Sequence, residues 1–131
     1  MKTVLVVDDE VNIQTLLKDI LELNGYKVII SDGGEEIIEI CRTCNVSLII
    51  LDMMMPKATG HELYTSLKVT LAAEGKEDRI PPAIILTAHP GAENTQFLLM
   101  TESGIEKLLP KPFQVDELLD SVSHCIKKYN K

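Results

Sequence analysis

Leu48-Ile49-Ile50-Leu51-Asp52 is an unbroken apolar run closed by an acid, and its reading decides the fold. A strand with one wet face alternates apolar and polar side chains. A run without alternation belongs to a strand covered on both faces, as in a parallel sheet held between two layers of helices. Two other stretches have the same build: Val4-Leu5-Val6-Val7, followed by Asp8-Asp9-Glu10, and Ala83-Ile84-Ile85-Leu86, followed by Thr87. These three predict the centre of the sheet. Shorter patterns lie outside them, so strands are expected at Thr3 to Val7, Lys27 to Ile30, Ser47 to Leu51, Ala83 to Leu86 and Lys107 to Leu109.

Helical spacing fills the intervals. A first helix is expected from Val11 to Leu23, with Ile13, Leu16, Leu17, Ile20 and Leu21 on one face and Asn24-Gly25 as a left-handed stop. A second, from Glu35 to Cys44, opens with two acids at the positive end of its dipole. A third runs from Gly60 to Ala73 on Leu63, Leu67 and Leu71, and Gly75 through Pro82 reads as a polar loop. A fourth, the least regular, lies between Pro90 and Gly104, and a fifth spans Val115 to Tyr129 with Leu118, Leu119, Val122, Cys125 and Ile126 in one stripe. Strands alternating with helices through short connections imply parallel strands and right-handed crossovers. The expectation is an α/β fold, a three-layer αβα sandwich of five strands and five helices. With 131 residues and no shift in composition, one domain spanning 1–131 is expected.

Composition removes several functions. The formal charge of −7, with the 13 Lys and Arg scattered, argues against a grip on nucleic acid by this domain. No apolar run is long enough to span a bilayer. The amino terminus imitates a signal peptide only until Asp8, Asp9 and Glu10 end its apolar stretch, so a cytoplasmic location is expected. Cys41-Arg42-Thr43-Cys44 has redox-pair spacing, but it falls at the end of a helix, where the dipole raises rather than lowers a thiol pKa. Packed, reduced thiols are the better reading.

In doubly wound sheets the active crevice lies beyond the carboxyl ends of the strands. The residues found there are Asp8 and Asp9 after the first strand, Asp52 after the third, Thr87 after the fourth and Lys111 just past the fifth. Singly, each has a bland explanation as a cap, a strand end or a solvated charge. Together they converge on one edge. Three carboxylates within about 5 Å repel by roughly 3 kcal/mol per pair at an effective dielectric near 20, so a cation belongs to the design. All-oxygen ligands suit Mg²⁺, and no His or Cys set favours zinc. A carboxylate beside such a metal can act as nucleophile toward phosphorus, while a Lys ammonium and a Thr hydroxyl neutralise the other phosphoryl oxygens. A hydrolase with an Asp nucleophile would want a second acid two residues on, where this chain has Met54.

Val6-Val7-Asp8-Asp9-Glu10, Leu51-Asp52-Met53-Met54-Met55-Pro56, Leu86-Thr87-Ala88 and Lys111-Pro112-Phe113 resemble, in order and spacing, the four signatures of CheY-like receiver domains of two-component response regulators. The resemblance covers nearly the whole chain. It implies the strand order 2-1-3-4-5 and a phosphoryl group passed to Asp52 from a sensor histidine kinase or phosphotransfer protein. It further implies a metal set of Asp9 directly, Asp8 through water, Asp52 and the backbone carbonyl of Met54, with Thr87 and Lys111 on the phosphoryl group. Lys111-Pro112 would be cis, and Gly60 would open the third helix. The face of the fourth helix, fifth strand and fifth helix would bind a downstream protein or a fused output domain. Glu10 matches the family's acidic stretch and reads as solvated or capping.

The sequence departs from the family in four places. Ala58-Thr59 replaces the commoner Met-Asp. Leu108 stands where receivers usually place an aromatic whose rotamer follows the threonine, which leaves the switching route open and keeps a constitutive, phosphorylation-independent interaction module as the alternative function. Met54 and His89 occupy positions that in the family influence how water reaches the acyl phosphate, and an apolar Met54 predicts slow self-dephosphorylation.

Overall fold

The computed structural model describes residues 1–88 and 102–129. Its elements are β1 (Thr3–Val7), α1 (Val11–Leu23), β2 (Lys27–Ser31), α2 (Glu36–Thr43), β3 (Val46–Asp52), α3 (Gly60–Ala73), β4 (Ala83–Thr87), β5 (Ile105–Pro110) and α4 (Val115–Tyr129). The five strands are parallel, in the order β2-β1-β3-β4-β5. The three unbroken apolar runs are its central strands, as expected. Every residue of β3 is buried.

The count of five helices needs correction. The described residues hold four, plus a 3₁₀ turn at Glu77–Arg79 inside the stretch read as a polar loop. The expected fourth helix falls on residues 89–101, outside the described residues, and 102–104 form a bend and turn before β5. β5 is also longer than the expected Lys107 to Leu109, because it takes in Ile105, Glu106 and Pro110 on a sheet edge, where a partly exposed Glu106 is tolerated.

The period-two geometry of the strands sorts the core into two layers. Val4 and Val6 pack with Leu17, Leu21, Leu118 and Val122 on the side of α1 and α4. Leu5 and Val7 pack with Ile37, Cys41, Leu67 and Leu71 on the side of α2 and α3. Each such buried side chain contributes roughly 1.5–3 kcal/mol by leaving water. Cys41 and Cys125 are buried and Cys44 half-buried, all three unpaired. Burial, with Cys44 nearby, pushes the Cys41 thiol up to about 12, so the reading of packed thiols agrees with the structure. Among the described residues no helix is long and apolar enough to cross a membrane.

The start of α3 bears directly on the site. The Thr59 hydroxyl accepts from the Glu62 N–H at 3.0 Å while the Glu62 carboxylate accepts from the Thr59 N–H at 3.1 Å, a reciprocal capping box. Gly60 follows it, packed so tightly that a Cβ there would lie 2.5 Å from the carbonyl oxygen of Asp52. Only the residue without a side chain lets α3 begin against the end of β3.

Candidate functional site

Strand register brings the polar residues together. Val7 pairs with Leu51, Asp52 with Leu86, and Thr87 with Pro110, so the residues at and just past these pairs share one edge of the sheet. Main-chain bonding continues past the strands: the Asp8 N–H donates to Ser31 at 3.2 Å, Met53 to Leu86 at 2.8 Å and Lys111 to Thr87 at 2.9 Å. The site is therefore held by the sheet rather than by loose loops. Asp8, Asp52 and Thr87 are all buried.

The Lys111 ammonium is at the centre of the site. It lies 3.2 Å from Asp8 Oδ2, 3.3 Å from Asp52 Oδ1 and 3.3 Å from Glu10 Oε1. The Lys111-Pro112 peptide is cis, as expected from the sequence. One ammonium among three carboxylates leaves two negative charges unbalanced. Burial raises the Asp8 carboxyl above the usual carboxylate range, opposed by the Glu10 N–H at 2.9 Å and by Lys111. Asp52 is raised first by burial and then by the charge of Asp8, again against Lys111. Burial alone would lower Lys111, but Asp8 and Asp52 outweigh it, so this lysine holds its proton more firmly than a free one.

Asp8, Glu10 and Asp52 each offer a carboxylate oxygen within 4.8 Å of the others. Hard oxygen donors with excess negative charge fit a divalent cation of the Mg²⁺ kind, and the grouping contains no His or Cys to suit zinc. The metal-ligand reading of Asp9 is not matched by this trio. Asp9 is exposed and lines a neighbouring cleft with Asp32, Gly33 and Lys57. Met54 exposes its side chain and turns its N–H toward Asp52 Oδ1 at 3.4 Å. Met53 is buried and Met55 half-buried, so the three consecutive methionine side chains do not converge on one site.

Glu10 is the residue that sequence reasoning missed. It occupies the N-cap of α1, but its side chain makes no capping bond and reaches Lys111 instead. Nothing in the local spacing signals this contact, which spans the chain from the first strand to the fifth. Leu108 is half-buried against the α2–α3 layer of the core. His89 lies outside the described residues.

The family model described as "Response regulator receiver domain" matches residues 4–123. The chain is 33% identical over 128 residues to the transcriptional regulatory protein CpxR of Escherichia coli strain K12, covering 98% of this chain and 50% of that protein. It is 35% identical over 127 residues to the alkaline phosphatase synthesis transcriptional regulatory protein PhoP of Bacillus subtilis, covering 97% and 49%. The chain thus spans about half the length of the curated relatives it matches. Among solved structures, the receiver domain of Francisella response regulator 1452 superposes with a TM-score of 0.79 at 32% identity, covering 98% of each chain. The response regulator protein TrrA of Thermotoga maritima, solved in complex with Mg²⁺-BeF, superposes with a TM-score of 0.74 at 32% identity, covering 95% of this chain and 99% of that one.

Proposed function

Because the chain belongs to the response regulator receiver domain family, we propose that it is a phosphoacceptor switch in which Asp52 takes a phosphoryl group from a phosphohistidine on a sensor histidine kinase or phosphotransfer protein. The observation that carries this reading is the Lys111 ammonium lying within 3.3 Å of both the Asp8 and the Asp52 carboxylates at the end of the central strand. A buried carboxylate there is desolvated, and so reactive, yet is kept ionisable by the lysine. In the transfer, a carboxylate oxygen of Asp52 forms the new O–P bond as the P–N bond to the donor imidazole breaks and the imidazole leaves with its electron pair. Lys111 and the Thr87 hydroxyl would bind the phosphoryl oxygens, while Asp52, Asp9 and the Met54 carbonyl would hold Mg²⁺ directly and Asp8 would assist through water. When bound, the metal supplies charge neutralisation for the transferring group.

The switch would be read by a downstream protein, or by an output domain fused to it, on the face that includes β5 and α4, where Glu106 is held by Lys128 and Tyr129. Three unpaired thiols accord with a cytoplasmic location. Acetyl phosphate or beryllofluoride with Mg²⁺ should modify the folded wild-type protein and leave Asp52→Asn untouched; failure of both reagents on wild type would remove the reading. Leu108 favours one competing view, a docking module indifferent to phosphate, and equal partner affinity for wild type and Asp52→Asn would establish it.

A further inference from the structure

Three methionines follow Asp52 in a row, and the fold treats their thioethers unequally. Met53 is 8% exposed within the core, and the Met55 sulfur packs toward Gly33, 3.0 Å from where a Cβ would stand there. Met54 is 69% exposed. Its backbone is fixed on both sides, by its N–H directed at Asp52 Oδ1 at 3.4 Å and by a bridge to Thr59, the N-cap of α3. The root of a solvated thioether is thereby held next to the carboxylate read above as the phosphoacceptor. Met1 is exposed too, but it precedes β1, at the other end of that strand from Asp8.

We propose that Met54 is an oxidation site, at which a peroxide converts the thioether to the sulfoxide and so shortens the life of the acyl phosphate on Asp52; this rests on the phosphoacceptor reading. In the first step the Met54 sulfur attacks one oxygen of hydrogen peroxide, the O–O bond breaks and the second oxygen leaves as water. Sulfur is oxidised by two electrons and the peroxide is reduced by two. A polar S–O acceptor then stands where an apolar side chain stood. In the second step that oxygen accepts a hydrogen bond from a water and orients it toward phosphorus. The P–O bond to Asp52 breaks, Asp52 leaves as its carboxylate and both protons of the water end on inorganic phosphate. The backbone is unaltered by the oxidation, so the Met54 carbonyl keeps its place. Of the thiols, Cys41 and Cys125 are buried, and the half-buried Cys44 lies at the end of α2.

The test treats the full chain with hydrogen peroxide, maps the oxidised residues by peptide mass spectrometry, phosphorylates it with acetyl phosphate and Mg²⁺, and follows loss of the phosphoryl group after the donor is removed. Wild type should gain one oxygen at Met54 ahead of Met53 and Met55. It should then lose its phosphoryl group roughly two- to tenfold faster than untreated protein, the effect of one net hydrogen bond made in the transition state. Methionine sulfoxide reductase should restore the slow decay. Met54→Leu should decay at one rate with and without peroxide, which separates the effect from any oxidation of Cys44. Met54→Gln, with a polar acceptor of similar reach, should decay faster than wild type without peroxide. Oxidation of Met53 ahead of Met54, unchanged decay once Met54 is oxidised, or equal acceleration in Met54→Leu would overturn the assignment while leaving the phosphoacceptor reading intact. A wild-type protein that neither takes a phosphoryl group from acetyl phosphate nor binds beryllofluoride would overturn both.

Discussion

At the scale of single residues, the site is a balance between burial and charge. Asp52 is desolvated and faces Asp8, and Lys111 would still have two carboxylates if Asp52 were neutral. Asp52→Asn should therefore stabilise the metal-free protein at neutral pH by on the order of 1 kcal/mol, raising its unfolding midpoint by several degrees. The sign follows from linkage. The folded carboxyl binds its proton more tightly than the unfolded one, so its contribution is intact below the ordinary carboxylate pKa and is lost as pH rises through the raised folded value. The gap between variant and wild type should be absent below about pH 4, open above it and then level off; a gap that widened toward acid would contradict the argument. Met54 belongs to the same scale. Its exposed apolar side chain cannot orient a water for attack on an acyl phosphate, so the phosphoprotein should persist well beyond seconds, and Met54→Asn should shorten its lifetime when the decay of radiolabelled protein is followed.

Among the elements, α3 shows how local chemistry aims a site. Its capping box should make Thr59→Ala destabilising by about 1 kcal/mol in denaturant titrations. Gly60→Ala should be worse, by about 1–3 kcal/mol, because the added methyl meets the Asp52 carbonyl. It should also weaken beryllofluoride binding, which the cap variant need not do. Both features were written in the sequence, as a Thr and a Glu three apart and a glycine at a helix start, although the capping box was overlooked there. The central strands were legible for a simple reason: double-sided burial leaves no room for polar residues. β5 was underestimated because its edge position tolerates Glu106, which separates Ile105 from the expected stretch of Lys107 to Leu109. Asp8, Asp52, Thr87 and Lys111 could be found because strand ends in this topology share an edge. The place of Glu10 beside Lys111 could not, since it depends on a contact between residues 101 positions apart.

For the molecule as a whole, an acidic chain with two surplus charges concentrated at one edge should respond to divalent cations more than to ionic strength alone. Mg²⁺ at a hundredfold excess over its Kd should stabilise the fold by about 2.7 kcal/mol. That increment should fade as pH falls through the raised range in which Asp8 and Asp52 take up protons, above the ordinary carboxylate pKa, and in Asp52→Asn it should shrink. Calorimetry with and without the ion checks this, and a neutral-pH midpoint indifferent to Mg²⁺ would contradict it. The parallel sheet also gives the molecule a polarity with a practical use. All the chemistry gathers where the strands finish, while the exposed 3₁₀ turn at Glu77–Arg79 leads into β4 from the opposite rim. A fluorophore or surface tether attached at Asp78 would report on, or immobilise, the protein from its inert pole without obstructing a phosphodonor.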